Sequence, residues 1–189
     1  MTWYPLEPVE SSIFTTAPHI YRYPVELDVP AARVWESLQS DQSVAAWGMG
    51  VKSLTWTTPR PFGVGTTREV VLPIGAASVR ERFFHWDEGH HYSFYVYEMN
   101  RPMVRRFAED YVVEDRPGGG SRFTWTIAIE ARPKYKRLVA LSSPMNRLAF
   151  GQLARKEACL IEDLGRIQIA GEARLSRRAE RTGERAAGL

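Results

Sequence analysis

Cysteine is nearly absent from this 189-residue chain, with Cys159 the only one. An internal disulfide is excluded, and no CxxC pair offers a redox or zinc site. Cys159 follows Ala158 and precedes Leu160 and Ile161 in a helical pattern, where a free thiol is expected to be a small buried hydrophobe. Long apolar runs are also missing; none approaches the ~20 residues of a membrane span. Residues 1–12 carry neither a basic nor an apolar leader region. A soluble, cytoplasmic protein without membrane insertion is therefore expected. No His, Asp or Glu pair has zinc spacing, which argues against a metal site. GxSxG, P-loop and dinucleotide fingerprints do not occur, and no cofactor is expected. Gly63-Val64-Gly65 is a loop cluster without the helix that phosphate binding needs.

A strong charge of one sign is lacking too. The formal net charge is +3. Residues 170–189 hold five Arg against three Glu, so most of the excess lies in the tail. No Lys/Arg stripe is interleaved with aromatics, and nucleic acid is not an expected partner.

Aromatic residues, by contrast, are abundant: six Trp, eight Tyr and eight Phe. Large rings suit a thick core, or an apolar cavity wall with a few polar tips. The length allows one sizeable core.

Residues 1–20 contain Pro5, Pro8 and Pro18 and show no period. They read as an irregular arm packed on the body through Trp3, Tyr4 and Phe14. Between Tyr21 and Asp28 apolar and polar side chains alternate, as in a half-buried strand. Pro30 opens a helix with Val34, Trp35 and Leu38 on its apolar face, and a second short helix is expected at about Gln42 to Trp47. Strands then follow at about 51–57, 66–73, 78–87, 91–98, 106–115 and 121–131, joined by short Gly, Pro and Asn/Asp turns. Such turns connect antiparallel neighbours, so these six strands form a meander.

From about Pro133 the period is helical. Leu138, Leu141, Met145, Leu148, Gln152, Leu153 and Leu164 predict a long amphipathic helix to about Ile169. Pro144 should kink or split it. Residues 170–189 are rich in Arg, Glu and Ala and are expected to form a solvated, disordered tail. One strand, two helices, six strands and a long helix make an α+β domain. The seven-stranded antiparallel sheet must cover one apolar face, and only the last helix is long enough to do so. A twisted sheet curls around that helix, and the two cannot touch everywhere. The gap between them is the expected cavity.

Three segments carry a resemblance: Gly65-Thr66-Thr67-Arg68-Glu69-Val70-Val71-Leu72, Glu81-Arg82-Phe83-Phe84-His85-Trp86-Asp87, and Gly119-Gly120-Ser121-Arg122-Phe123-Thr124-Trp125. In order and spacing they resemble the START-like, helix-grip superfamily over about residues 20–168. That superfamily includes polyketide cyclases and aromatases, lipid-transfer proteins, birch-pollen allergens and plant abscisic acid receptors. The resemblance implies a helix-grip domain over 21–169, with the arm at 1–20 and the tail at 170–189 outside it. It also implies that the Pro73–Ala77 and Asn100–Met103 loops lie at the cavity mouth. The second of these lacks the receptors' histidine before arginine, which sets this chain apart from hormone-type gating.

Strand parity sorts the candidates. Phe123, Trp125, Ile127 and Ile129 share one face of the last strand, and that face must meet the helix. By similarity to the family, Tyr92, Phe94 and Val96 point inward, followed by Phe107, Glu109, Tyr111 and Val113. The family's inward Arg and Glu match Arg68 and Glu81. The expected ligand set is Arg68, Glu81, Tyr92, Phe94, Phe107, Glu109, Trp125, Ile127, Met145 and Asn146. Arg68 would anchor a carboxylate or phenolate, or stabilise an enolate. Glu81 or Glu109 would accept a proton, its pKa raised by burial. A structural Arg–Glu pair, or an outward pair on a solvated face, is the competing reading. His85 shares the parity of Glu81 and is a weaker cavity acid/base candidate. Leu141, Met145 and Leu148 are expected in the core or on the ligand wall.

Two functions fit these residues: a module that binds or carries a small hydrophobic ligand (a lipid, polyketide or aromatic acid), and a cofactor-free polyketide cyclase or aromatase. A homodimer is left open by the Arg-rich tail.

Overall fold

Alternation of apolar and polar side chains places seven strands in one curved antiparallel sheet, as the sequence predicts. The computed structural model describes residues 2–40, 51–72 and 77–187, except for the side chains of 157–158 and 164–187. The expected short helix at 42–47 and most of the 73–77 loop lie outside the described residues.

In chain order the elements are β1 (Tyr4–Pro5), α1 (Ile13–Thr16), β2 (His19–Leu27), α2 (Ala31–Gln39), β3 (Ser53–Trp56), β4 (Thr67–Val71), β5 (Ser78–Asp87), β6 (His91–Met99), β7 (Val104–Asp115), β8 (Ser121–Ala131) and α3 (Lys136–Ala187). The sheet order is β2-β8-β7-β6-β5-β4-β3. Strands β3 to β8 form the meander, and β2 returns to pair with β8.

Turn chemistry closes the β7–β8 hairpin. Gly118, Gly119 and Gly120 all have positive φ, and a Cβ on Gly120 would lie 2.4 Å from the Leu27 carbonyl oxygen. Only glycine fits there. Helix α2 buries Ala31, Val34, Trp35 and Leu38. Its Trp35 donates Nε1–H to Glu88 in the β5–β6 turn at 2.9 Å.

The N-terminal arm is more regular than its prolines suggest. Strand β1 pairs with Glu98 and Met99 at the end of β6, where the β6–β7 ladder, whose last rung is Tyr95–Ala108, no longer runs. The Leu6 amide bonds the Tyr97 carbonyl and the Glu7 amide bonds the Arg105 carbonyl, so the arm bridges β6 and β7. Leu6 is buried with Val70, Val79, Val96 and Met99. Trp3 lies under Arg80 with 4.1 Å from guanidinium carbon to ring centroid, and Phe14 stacks on Phe84. Ile13 of α1 packs with Tyr95, Ala108 and Ala128 on the convex side of the sheet.

Helix α3 departs from expectation in three ways. First, Pro144 lies within it without dividing it. Second, its backbone continues past Ile169 and Gly171 to Ala187, through residues expected to form a disordered tail. Ala, Arg and Glu are strong helix formers, and together they outweigh Gly171 and Gly183. Third, its apolar stripe is reversed. Leu138, Leu141, Met145 and Leu148 are 56, 81, 69 and 65% exposed. The residues turned toward the body are Val139, Ser143, Asn146, Phe150, Leu153, Ala154 and Ile161. Hydrogen bonds fix this rotation: Tyr21 Oη to Ser143 Oγ at 2.8 Å, and Tyr23 Oη donating to the Arg147 carbonyl at 2.8 Å. Gly151 lets the Tyr23 ring approach the helix, 3.2 Å from where a Cβ would stand. Periodicity reveals an apolar stripe but not which partner it meets. Cys159 is likewise exposed rather than buried.

Candidate functional site

Register brings the two charged motifs together. Arg68 on β4 stands directly across from Glu81 on β5. The Arg68 Nε–H donates to Glu81 Oε2 at 2.5 Å, and both residues are only 5% exposed. The pair therefore faces inward. The guanidinium carbon lies 4.5, 5.1 and 5.2 Å from the ring centroids of Phe94, Phe83 and Trp56. A cation enclosed by π faces is stabilised beyond its ion pair. Among the described residues, the bond to Glu81 is the one hydrogen bond of the Arg68 guanidinium, which has five N–H donors. Trp56 Nε1 is buried beside it and has no partner among the described residues.

Burial pulls the Arg68 guanidinium toward losing its proton, but Glu81, Tyr92 and Tyr111 outweigh burial and hold its pKa above the usual value. Burial pushes the Glu81 carboxyl up, with Arg68 pulling against it.

Glu109 on β7 completes the cluster. Its neighbours in register are Phe94 and Ile127, which are 1% and 0% exposed. Glu109 itself is only half-buried, although it faces the same way. Its Oε2 accepts from Tyr111 Oη and Trp125 Nε1, each at 2.9 Å. Burial and then the Glu81 charge push its pKa up to about 7, against the hydrogen bonds and Arg68. Near neutral pH this carboxyl can both give and take a proton.

The rings form a continuous wall. Tyr92 stacks on Tyr111 at 5.0 Å and on Trp86 at 5.3 Å, and Tyr111 meets the edge of Trp125 at 6.0 Å. Phe94 and Ile127 are fully buried in this cluster, and Phe107 is half-buried against it. Of the expected set, Arg68, Glu81, Tyr92, Phe94, Phe107, Glu109, Trp125 and Ile127 thus share the concave side. Asn146 is half-buried on the inner side of α3 and donates to Ser142 Oγ at 3.2 Å. Met145 is not brought to the site, because the rotation of α3 turns it outward.

His85 is also not part of the wall. A β-bulge after Phe83 shifts the register, so His85 pairs with Ser93 and Trp86 pairs with Tyr92. One extra residue exchanges the faces. Trp86 takes the inward place, and the His85 ring lies 4.2 Å from that of His91. His91 Nε2 and Ser93 Oγ both reach Asp110 Oδ1, at 2.7 and 2.6 Å. These are Ser, His and Asp side chains, but one carboxylate oxygen holds both partners and no relay through the two ring nitrogens exists. Among the described residues no group of three or more His, Cys, Asp or Glu is placed to hold a metal ion. No helix there is long and apolar enough to cross a membrane.

Sequence reasoning missed Trp56 and Trp86. Trp56 was legible from its place across from Arg68. Trp86 was hidden by the bulge, which leaves no compositional mark.

Residues 18–157 match the family model described as polyketide cyclase / dehydrase and lipid transport. The chain belongs to this family. An uncharacterised protein of Mycobacterium bovis and one of Mycobacterium tuberculosis are each 34% identical to it over 152 residues, spanning 80% of this chain and 90% of theirs. Among solved structures, the major latex-like protein 151 of Panax ginseng superposes with a TM-score of 0.62 at 14% identity, covering 77% of this chain and 96% of that one. A Thermus thermophilus protein gives 0.59 at 18% identity, covering 75% and 96%. These likenesses establish the helix-grip fold.

Proposed function

We propose that this protein binds a small hydrophobic molecule bearing one acidic or hydrogen-bonding group, a lipid, polyketide or aromatic acid, between the sheet and α3. The observation that carries this reading is Glu109: it faces the interior among fully buried neighbours, yet part of it is still accessible. Accessible surface on an inward residue marks space that the core does not fill. Arg68, 4.5 Å from the ring of Glu109's neighbour Phe94, brings a cation to the same wall, and the surrounding rings supply apolar contact. A ligand burying about 200 Å² of apolar surface would gain roughly 5 kcal/mol from desolvation alone. The arginine would then select and orient its polar end.

The family description supports the ligand class in general terms. Mass spectrometry of the protein purified under native conditions is the direct test. A retained small hydrophobic acid or phenol supports the reading. Failure to retain or take up any such compound, with Arg68 intact, would overturn it.

Glu109 also favours a second reading, cofactor-free cyclisation of a poly-β-ketone. A carboxyl with a pKa of about 7 beside a permanent cation can remove a proton while Arg68 stabilises the enolate. Glu109→Gln separates the two readings. Under simple binding it leaves ligand affinity nearly intact; under catalysis it brings the cyclisation rate down to that of the unassisted substrate.

A further inference from the structure

Six large hydrophobic residues are exposed among the described residues: Val64, Met103, Leu138, Leu141, Met145 and Leu148. Four of them form one stripe on α3 at spacings of three, four and three residues. That spacing keeps them on a single face of the helix. Met103 adjoins the start of this helix, because its carbonyl accepts the Arg132 amide at 3.0 Å. A contiguous exposed apolar patch marks an interaction surface.

The charge around the stripe is all of one sign. Residues 132–156 contain seven Arg or Lys and no Asp or Glu. Lys134, Lys136, Arg137, Arg147, Arg155 and Lys156 are exposed. On the sheet several surface arginines are matched: Arg80 with Glu69 and Glu98, Arg105 with Glu7 and Glu130, Arg116 and Arg122 with Glu26. Among the described residues Lys134, Lys136, Arg137, Arg147 and Arg155 take part in no ion pair.

We propose that the outer face of α3 over residues 136–156 lies on an anionic lipid surface, with Leu138, Leu141, Met145 and Leu148 in the acyl boundary and basic side chains among the headgroups. Charge complementarity decides between occupants. A second copy would press like charges together along the whole stripe. A peptide partner needs a groove, and a convex helix ridge provides none. A planar negative surface matches both the ridge and the charge. The helix lies on this surface rather than crossing it, since its described residues hold no stretch apolar enough to span.

Co-sedimentation of the full chain with vesicles tests the proposal. The protein should pellet with equimolar phosphatidylcholine and phosphatidylglycerol at low salt, stay in solution with phosphatidylcholine alone, and be released by high salt. Leu141→Ser combined with Met145→Ser should abolish binding without shifting the unfolding curve, because both side chains already face water. Arg137→Ala should weaken binding about five-fold. The proposal fails if the parent does not pellet with the anionic vesicles, or if the double variant binds them as well as the parent does. It also fails if sedimentation velocity finds a dimer that the double variant breaks, since a second copy would then cover the stripe.

Discussion

Arg68 and Arg80 lie on adjacent strands and each meets a glutamate across a strand pair, yet they sit on opposite faces of the sheet. Inside, Arg68 meets Glu81, and both are almost fully buried. Outside, Arg80 meets Glu69 at 3.1 Å and Glu98 at 2.7 Å, and its side chain is 36% exposed. The residue types are the same and the register differs by one position. The outer ladder is solvated, so its net contribution is small. The inner pair has lost its water, and either charge left alone would be expensive. A motif match cannot distinguish them; the pleat does. Charges that can recognise a ligand are those the sheet has turned inward and left with unused donors.

The comparison can be broken most directly at Arg68. Arg68→Ala strands the Glu81 carboxylate and should cost about 3–5 kcal/mol in urea unfolding. Arg68→Met with Glu81→Leu should recover most of that stability while ligand uptake stays lost. A double variant that still binds would reduce the pair to scaffolding.

The next effect is one of pH. Glu109 titrates at about 7 in the folded protein, above its ordinary value of 4.5. Below pH 4.5 the carboxyl is protonated in both folded and unfolded chains and imposes no penalty. Between there and pH 7 the unfolded chain ionises first, so stability falls by roughly 3 kcal/mol as pH rises. Glu109→Gln should flatten that slope in denaturation curves taken across this window. An unchanged slope would place the carboxyl in a wetter environment.

Glu130 gives an intermediate case. It is on the convex face but only 7% exposed, and Arg105 ties it to Glu7 of the arm. It accepts from Arg106 Nε at 2.7 Å and from Arg105 Nη1 at 3.0 Å. Glu130→Gln should cost about 1.5–3 kcal/mol, the range for hydrogen bonds to charged groups. Last, Arg80→Ala should cost less than about 1 kcal/mol and less still in high salt. A larger loss would mean that the Trp3 contact, rather than the ion pairs, holds the arm.

Most of the fold is legible in the sequence because a sheet with one covered face enforces strict alternation. β5, β6, β7 and β8 fall within two residues of their predicted limits for that reason. The charged corner is legible through the family resemblance, which implies the inward parity of Arg68 and Glu81, while hairpin adjacency sets the two side by side. Two kinds of information are not. A bulge inserts one residue without changing composition, which misdirects His85 and conceals Trp86. A helix with apolar residues on two sides does not declare which side is covered, which misplaces Met145 and the three leucines around it. Both failures are failures of phase: the period was right and its origin was not.

The arm has a consequence in time as well as space. Tyr4 and Pro5 pair with Met99 and Glu98, and the Arg132 guanidinium holds the Pro5 carbonyl at 2.6 Å. None of those partners can receive the arm until β6, β7 and the end of β8 are side by side. Contacts so distant in sequence carry a large loop-closure cost and form late. The arm, which precedes all of these partners in the chain, is therefore among the last segments to find its place. A refolding experiment with a probe at Trp3 should report a step slower than the burial of Trp125.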